Sequence, residues 1–169
     1  MCQNHHCQEI KDIRGHCQTN KGERKMGLML DKLNKQKKEL DEALQKTARD
    51  AYVEVFNEFF EKYPEIKKIS WTQATPYFND GDPCVFSVHE CHIDGVSSYG
   101  EGDYQDDSEE AEEAYEALSK EEQKKHKDIC NEFDKIIYSN ESAAEIAFGD
   151  HSRITVTRDG IEVEEYCHD

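Results

Sequence analysis

The apolar positions of this chain fall into blocks of different period. From about Leu28, the residues Leu30, Leu33, Leu40, Leu44, Ala48, Ala51, Tyr52, Val55, Phe56, Phe59 and Tyr63 recur at three- and four-residue steps, with Lys and Glu between them. That spacing predicts one amphipathic helix whose C-terminal half is aromatic. Pro64 stops it, because proline crowds the residue before it out of the helical conformation. Ile69, Trp71 and Gln73 then alternate with polar residues, the period of a strand. In "CVFSVHECHID" the same alternation sets Cys84, Phe86 and Val88 on one face and Val85, Ser87, His89 and Cys91 on the other. The two runs predict an antiparallel pair, with Thr75 to Pro83 as a longer-than-minimal loop and Cys84 opening the return strand.

Further along, Asp94 to Ser108 is glycine-rich and offers little to bury, so an acidic mobile loop is expected over about 94–118. Ser119-Lys120-Glu121-Glu122 has capping-box spacing. The helix it opens puts Ile129, Cys130, Phe133, Ile136 and Ile137 on one face. Ser142 to Phe148 predicts a short helix closed by Gly149. "RITVTRDGIEVEEY" predicts a hairpin, with Ile154, Val156, Ile161 and Val163 on one face about an Asp159-Gly160 turn. The order implies an α+β fold: a small antiparallel sheet of two hairpins, covered on one face by two main helices. Whether the two hairpins join is left open by the pattern.

Composition narrows the function classes. The chain has 169 residues and a formal charge of −17. Residues 1–50 carry 11 Lys/Arg against 8 Asp/Glu, whereas residues 51–169 carry 10 against 30. Sequence-general nucleic-acid binding depends on Lys and Arg neutralising phosphates, so no direct nucleic-acid binding is expected. A field of this sign favours a basic protein partner. No stretch approaches the roughly 20 apolar residues of a membrane span, so no membrane association is expected. "MCQNHHCQEIKDIRGHC" has no apolar signal core and no helical or strand period. It predicts a disordered His/Cys-rich leader over 1–25, upstream of a helix that starts near Met26, and a single domain over 26–169. Seven cysteines, an odd count, fit free thiols or metal ligands better than a disulfide framework.

Three groups carry candidate chemistry. Cys2, His5, His6, Cys7, His16 and Cys17 are zinc-ligand types, but the segment lacks a set of apolar residues large enough to build a fold around a metal. His89 and Cys91 share a strand face in the alternation, and Cys167 would join them if the last strand lay alongside. Asn79-Asp80-Gly81-Asp82 offers two carboxylates to a hard cation, although an EF-hand's twelfth position falls on Cys91 and excludes that loop. The same letters suit a tight reversal, since Asn, Asp and Gly tolerate positive φ. No cofactor is expected, with zinc or magnesium as the alternative. The chain has no Gly-x-Ser-x-Gly elbow, no Walker A loop and no Gly-x-Gly-x-x-Gly, so those catalytic and nucleotide-binding devices are absent from it.

"WTQATPYFNDGDPCVFSV", residues 71–88, resembles a block in small proteins encoded by tailed bacteriophages and related mobile elements. There, too, a Lys/Glu-rich helix with aromatic residues leads into the block, and Val53 to Val88 follows that arrangement. The resemblance implies a phage or prophage origin and a place in the bacterial host cytoplasm; it implies no activity. The leader departs from the pattern, which adds weight to reading it as an upstream extension. The function expected is a non-enzymatic accessory protein that binds a host or phage protein, inhibition or nucleic-acid mimicry being two forms of that. Tyr77, Phe78, Asn79, Asp80 and Asp82 are its candidate binding residues. A metal-binding module or metal-dependent enzyme on Asp80, Asp82, His89 and Cys91 is the alternative. The oligomeric state is not legible.

Overall fold

The computed structural model describes residues 21–78, 80–102 and 108–167. The expected leader lies outside them except for its last residues, which are already helical. Helix α1 runs Lys21–Lys62, earlier in its start than the apolar period predicts. The chain divides between Leu40 and Asp41 into two units. In the first, the described residues are all helix, and Leu28, Met29, Leu30, Leu33 and Leu40 are exposed.

The second unit, residues 41–169, holds the core. Here α1 buries Tyr52, Phe56, Phe59 and Phe60, at the spacing of one helix face. Three more helices follow: α2 (Ser108–Glu116), α3 (Lys120–Tyr138) and α4 (Glu141–Phe148). The capping box forms as its spacing predicts. Ser119 Oγ accepts from the Glu122 N–H, and the Glu122 carboxylate accepts from the Ser119 N–H. α3 then buries Ile129, Cys130, Phe133 and Ile137.

The sheet has six strands: β1 (Lys68–Ala74), β2 (Ser87–Val88), β3 (His92–Ile93), β4 (Val96–Ser97), β5 (Ser152–Thr157) and β6 (Gly160–Glu165). Its order is β4-β3-β1-β5-β6, with β2 also paired to β1. Every pairing is antiparallel. The two expected hairpins therefore join, through β1 against β5, and β1 is central. Ile69, Trp71 and Gln73 line up with Val156, Ile154 and Ser152 on the helix-covered face. Trp71 is the node of the core: its ring centroid lies 5.9 Å from Phe56 on α1, 5.8 Å from Phe133 on α3 and 5.7 Å from Phe148 on α4.

Three expectations are corrected. The strand expected to open at Cys84 begins at Ser87, and Cys84 is exposed. The loop expected over about 94–118 instead holds helix α2, strand β4 and the corner of the β3–β4 hairpin. Asp94 and Gly95 make its turn with φ of 51° and 92°, the double positive-φ corner of a tight hairpin. The Asp94 carboxylate accepts from the N–H groups of Lys67 and Lys68, both at 2.9 Å. A Cβ on Gly95 would stand 3.0 Å from Ala111 of α2, so this corner is specified twice over. Thirdly, the β5–β6 turn falls on Arg158 and Asp159, one residue earlier than predicted, with Gly160 already in β6. The face of Ile154, Val156, Ile161 and Val163 is as predicted. The early turn aims Arg158 at the end of α1, where its guanidinium donates to the carbonyls of Phe60 and Pro64. A cation there suits the negative end of the helix.

Candidate interaction site on the β1–β2 loop

The loop between β1 and β2 is held at both ends by α4 and its flanks. At its start the Thr75 N–H donates to Asp150 Oδ1 at 2.7 Å, and the His151 N–H shares that oxygen at 2.8 Å. Burial would raise the Asp150 pKa, but hydrogen bonds from Thr75 and His151 outweigh it and hold the carboxyl below its usual range. At the far end the Val88 N–H donates to Glu141 Oε1 at 3.1 Å, and Phe86 packs against the core. Beneath the loop, Gln73 Nε2 donates to the carbonyls of Ala144 and Gly149, at 3.2 Å and 2.5 Å. Gln73 Oε1 accepts from Trp71 Nε1 at 3.2 Å. Every hydrogen-bonding group of this fully buried amide chain is thus tied to the two elements that frame the loop.

Between those anchors the loop presents apolar groups to water. Phe78 is 80% exposed, Tyr77 66% and Val85 67%. The Tyr77 ring stacks on His151 with centroids 4.7 Å apart and planes 10° from parallel, which fixes its direction. Asp80 and Asp82 are exposed beside them, and Gly81 takes the reversal at φ 97°. Asn79 lies outside the described residues. The result is an aromatic tip edged with carboxylates, on a unit that carries 12 Lys/Arg against 33 Asp/Glu, a net of −21.

The soft-metal grouping does not form, and the reason is one residue. Gln73 pairs with Val88, and the Thr72 carbonyl accepts from the His89 N–H at 2.8 Å, in a single register. Ser70 then pairs with His92 and Ile69 with Ile93. Glu90 and Cys91 together stand opposite Trp71 alone, which makes a β-bulge and reverses the side-chain alternation. His89 stays on the face away from the helices, with Nδ1 2.8 Å from Thr72 Oγ1. Cys91 turns into the core, where its thiol reaches the Cys130 carbonyl at 3.7 Å. Cys167 is exposed beyond β6. His89 and Cys91, expected on one face, therefore lie on opposite faces of the sheet. Among the described residues, no group of three or more His, Cys, Asp or Glu side chains is placed to hold a metal ion. The N-terminal Cys/His group lies outside those residues.

The bulge gathers a second cluster that strand alternation conceals. The Cys91 N–H donates to Asp134 Oδ1 at 2.8 Å. Cys130 Sγ lies 3.4 Å from His126 Nε2, a ring nitrogen that is also 3.1 Å from the Val96 carbonyl. The Cys91 thiol and then His126 lower the Cys130 pKa to about 6 against the effect of burial. Donation to Cys130, with burial, pushes Cys91 up. The i, i+4 spacing of His126 and Cys130 on α3 was the available signal for their contact. Both cysteines are fully buried, so their geometry offers no thiol to a substrate.

Neither known protein families, curated proteins nor solved structures give a match to this chain. No helix among the described residues is long and apolar enough to cross a membrane.

Proposed function

We propose that this is a non-enzymatic, acidic interaction protein that uses the β1–β2 loop to hold a basic protein partner. The observation that carries the reading is the exposure of Phe78 and Tyr77 on a braced loop beside Asp80 and Asp82. Aromatic anchors ringed by polar groups supply most of the energy in protein interfaces, and bracing lowers the entropy lost on docking. The −21 charge of residues 41–169 steers a cationic surface toward that tip. The resemblance of residues 71–88 to the phage block supports a host protein as the partner, met in the bacterial cytoplasm. Inhibition or nucleic-acid mimicry would follow if the partner's basic surface is one that binds nucleic acid.

The test compares binders retained from bacterial lysate at low salt by the wild type, by Phe78→Ser and by Asp80→Asn/Asp82→Asn. A hot-spot aromatic is worth about 2 kcal/mol or more, so Phe78→Ser should weaken a specific binder roughly 30-fold. The carboxylate variant should lower the association rate and its salt dependence. Equal retention by all three proteins would rule out the loop as the binding surface.

A further inference from the structure

The last strand of the sheet carries a row of backbone groups that no other strand takes up. Among the described residues β6 pairs only with β5. Beyond the strand's end the Tyr166 N–H donates to the His151 carbonyl at 2.8 Å, on the β5 side. An antiparallel ladder repeats in steps of two, so Glu162 and Glu164 also bond toward β5. Ile161, Val163 and Glu165 therefore turn their N–H and C=O groups outward. Residues 162–165 are exposed, Val163 to 38%. Ile161 and Val163 point to the helix-covered face. Beside Ile161 a groove of about 220 Å³ opens between β6 and α1, lined also by Val53, Phe56, Asn57 and Phe60.

We propose that β6 takes up an extended basic segment of another protein as a seventh, antiparallel strand. Strand addition draws affinity from main-chain hydrogen bonds and selectivity from pockets for alternate side chains. The edge supplies the first and the groove the second. Residues directly opposite share a face, so the guest residue across from Ile161 sends its side chain toward the groove. A dry cavity of about 150 Å³ takes a benzene ring, so this groove has room for one leucine or phenylalanine. Charge selects the rest of the guest. Residues 159–165 hold Asp159, Glu162, Glu164 and Glu165 and no Lys or Arg. Glu162 and Glu164 lie on the face away from the helices, where Lys or Arg opposite them would pair. The same carboxylates disfavour a second copy. Two β6 edges meeting antiparallel about Val163 would set Glu162 of each against Glu164 of the other. The guest thus alternates apolar and basic residues.

This edge is separate from the β1–β2 loop, so either surface can fail without the other. The probe is the blocked peptide Ser-Thr-Lys-Val-Arg-Leu-Ser, titrated into the full chain at low salt and followed by amide NMR. Saturable binding is expected. Amide exchange at Ile161, Val163 and Glu165, fast in the free protein, should slow, while Glu162 and Glu164, already bonded to β5, should hold constant. N-methylation of the peptide's valine removes an N–H aimed at β6 and should abolish binding; N-methylation of its lysine, whose N–H points away, should cost far less. Glu162→Lys, at an exposed position, should weaken binding about 10-fold. Four results would each overturn the proposal: no saturable binding, equal binding of Ser-Thr-Glu-Val-Glu-Leu-Ser, equal effects of the two N-methylations, or slowed exchange at the β1–β2 loop instead of β6. A free protein that sediments as a dimer with Ile161 and Val163 already protected would place a second copy on the edge and overturn it too.

Discussion

Replacing Gln73 with leucine tests the claim that one buried amide joins β1 to α4. Leucine keeps most of the volume but leaves the Trp71 indole N–H and the Gly149 carbonyl without the partners they have at 3.2 Å and 2.5 Å. Losing its partner costs a buried polar group such as the Trp71 indole about 1–3 kcal/mol, and a part-buried one such as the Gly149 carbonyl about 1 kcal/mol. The Ala144 carbonyl lies within α4, whose ladder continues to use it, and the added apolar surface returns about 1 kcal/mol. A loss of about 2 kcal/mol is expected, a large share of the 5–15 kcal/mol typical of a whole domain. The midpoint of thermal unfolding should fall by about 7 °C. Trp71 is the only tryptophan and is buried, so its fluorescence reports urea unfolding directly. Gln73→Glu adds a check on sign. Its carboxylate would face the Gly149 carbonyl, which only the protonated acid can satisfy. Its folded pKa is then raised above the unfolded value of about 4.3, so the variant should approach wild type near pH 4 and lose stability as pH rises. A cost under about 1 kcal/mol for Gln73→Leu, or a flat pH profile for Gln73→Glu, would refute the reasoning.

Ser119→Ala removes the side-chain half of the capping box and should cost about 1 kcal/mol in urea unfolding. Burial raises the Asp134 pKa despite the hydrogen bond from the Cys91 N–H, so wild type loses stability as pH rises from about 3.9 through the raised value. Asp134→Asn should lack that decline, seen as a converging difference between the two proteins on acidification. Thiol labelling with peptide mapping should find Cys84 and Cys167 reactive in the native protein, and Cys91 and Cys130 reactive only on unfolding. Access outranks thiolate character here, although Cys130 is lowered to about 6. Native labelling of Cys130 as fast as Cys84 would contradict the packing.

Period and capping chemistry made most of the local structure legible before any coordinates. The aromatic stripe of α1, the Ser119 box, the α4 stop at Gly149 and the faces of β5 and β6 all rest on interactions within a few residues. What was not legible depends on partners distant in the chain. Nothing in "CVFSVHECHID" marks Glu90-Cys91 as a bulge; it is defined by Trp71 across the ladder, and it alone undoes the grouping of His89 with Cys91. Val96 and Ser97 read as loop because two residues carry no period, yet α2 and β3 bury them. Tyr77 and Phe78 are legible as candidate binding residues from their place at the tip of the expected hairpin; the structure adds that they are exposed and that Tyr77 rests on His151.

The central place of β1 also sets the order in which the protein can be made. Its longest pairing is with β5, so Trp71 meets Ile154 only after the intervening chain exists. During synthesis one edge of β1 can pair with β2 and β3, but its other edge stays unpaired until residues 152–157 have been made. Closing so long a loop slows folding and lengthens the time in which an unpaired strand can find the wrong mate. A chain cut short before Ser152 would keep the residues of α1 to α4 and lack both β5, which completes the middle of the sheet, and β6 beside it.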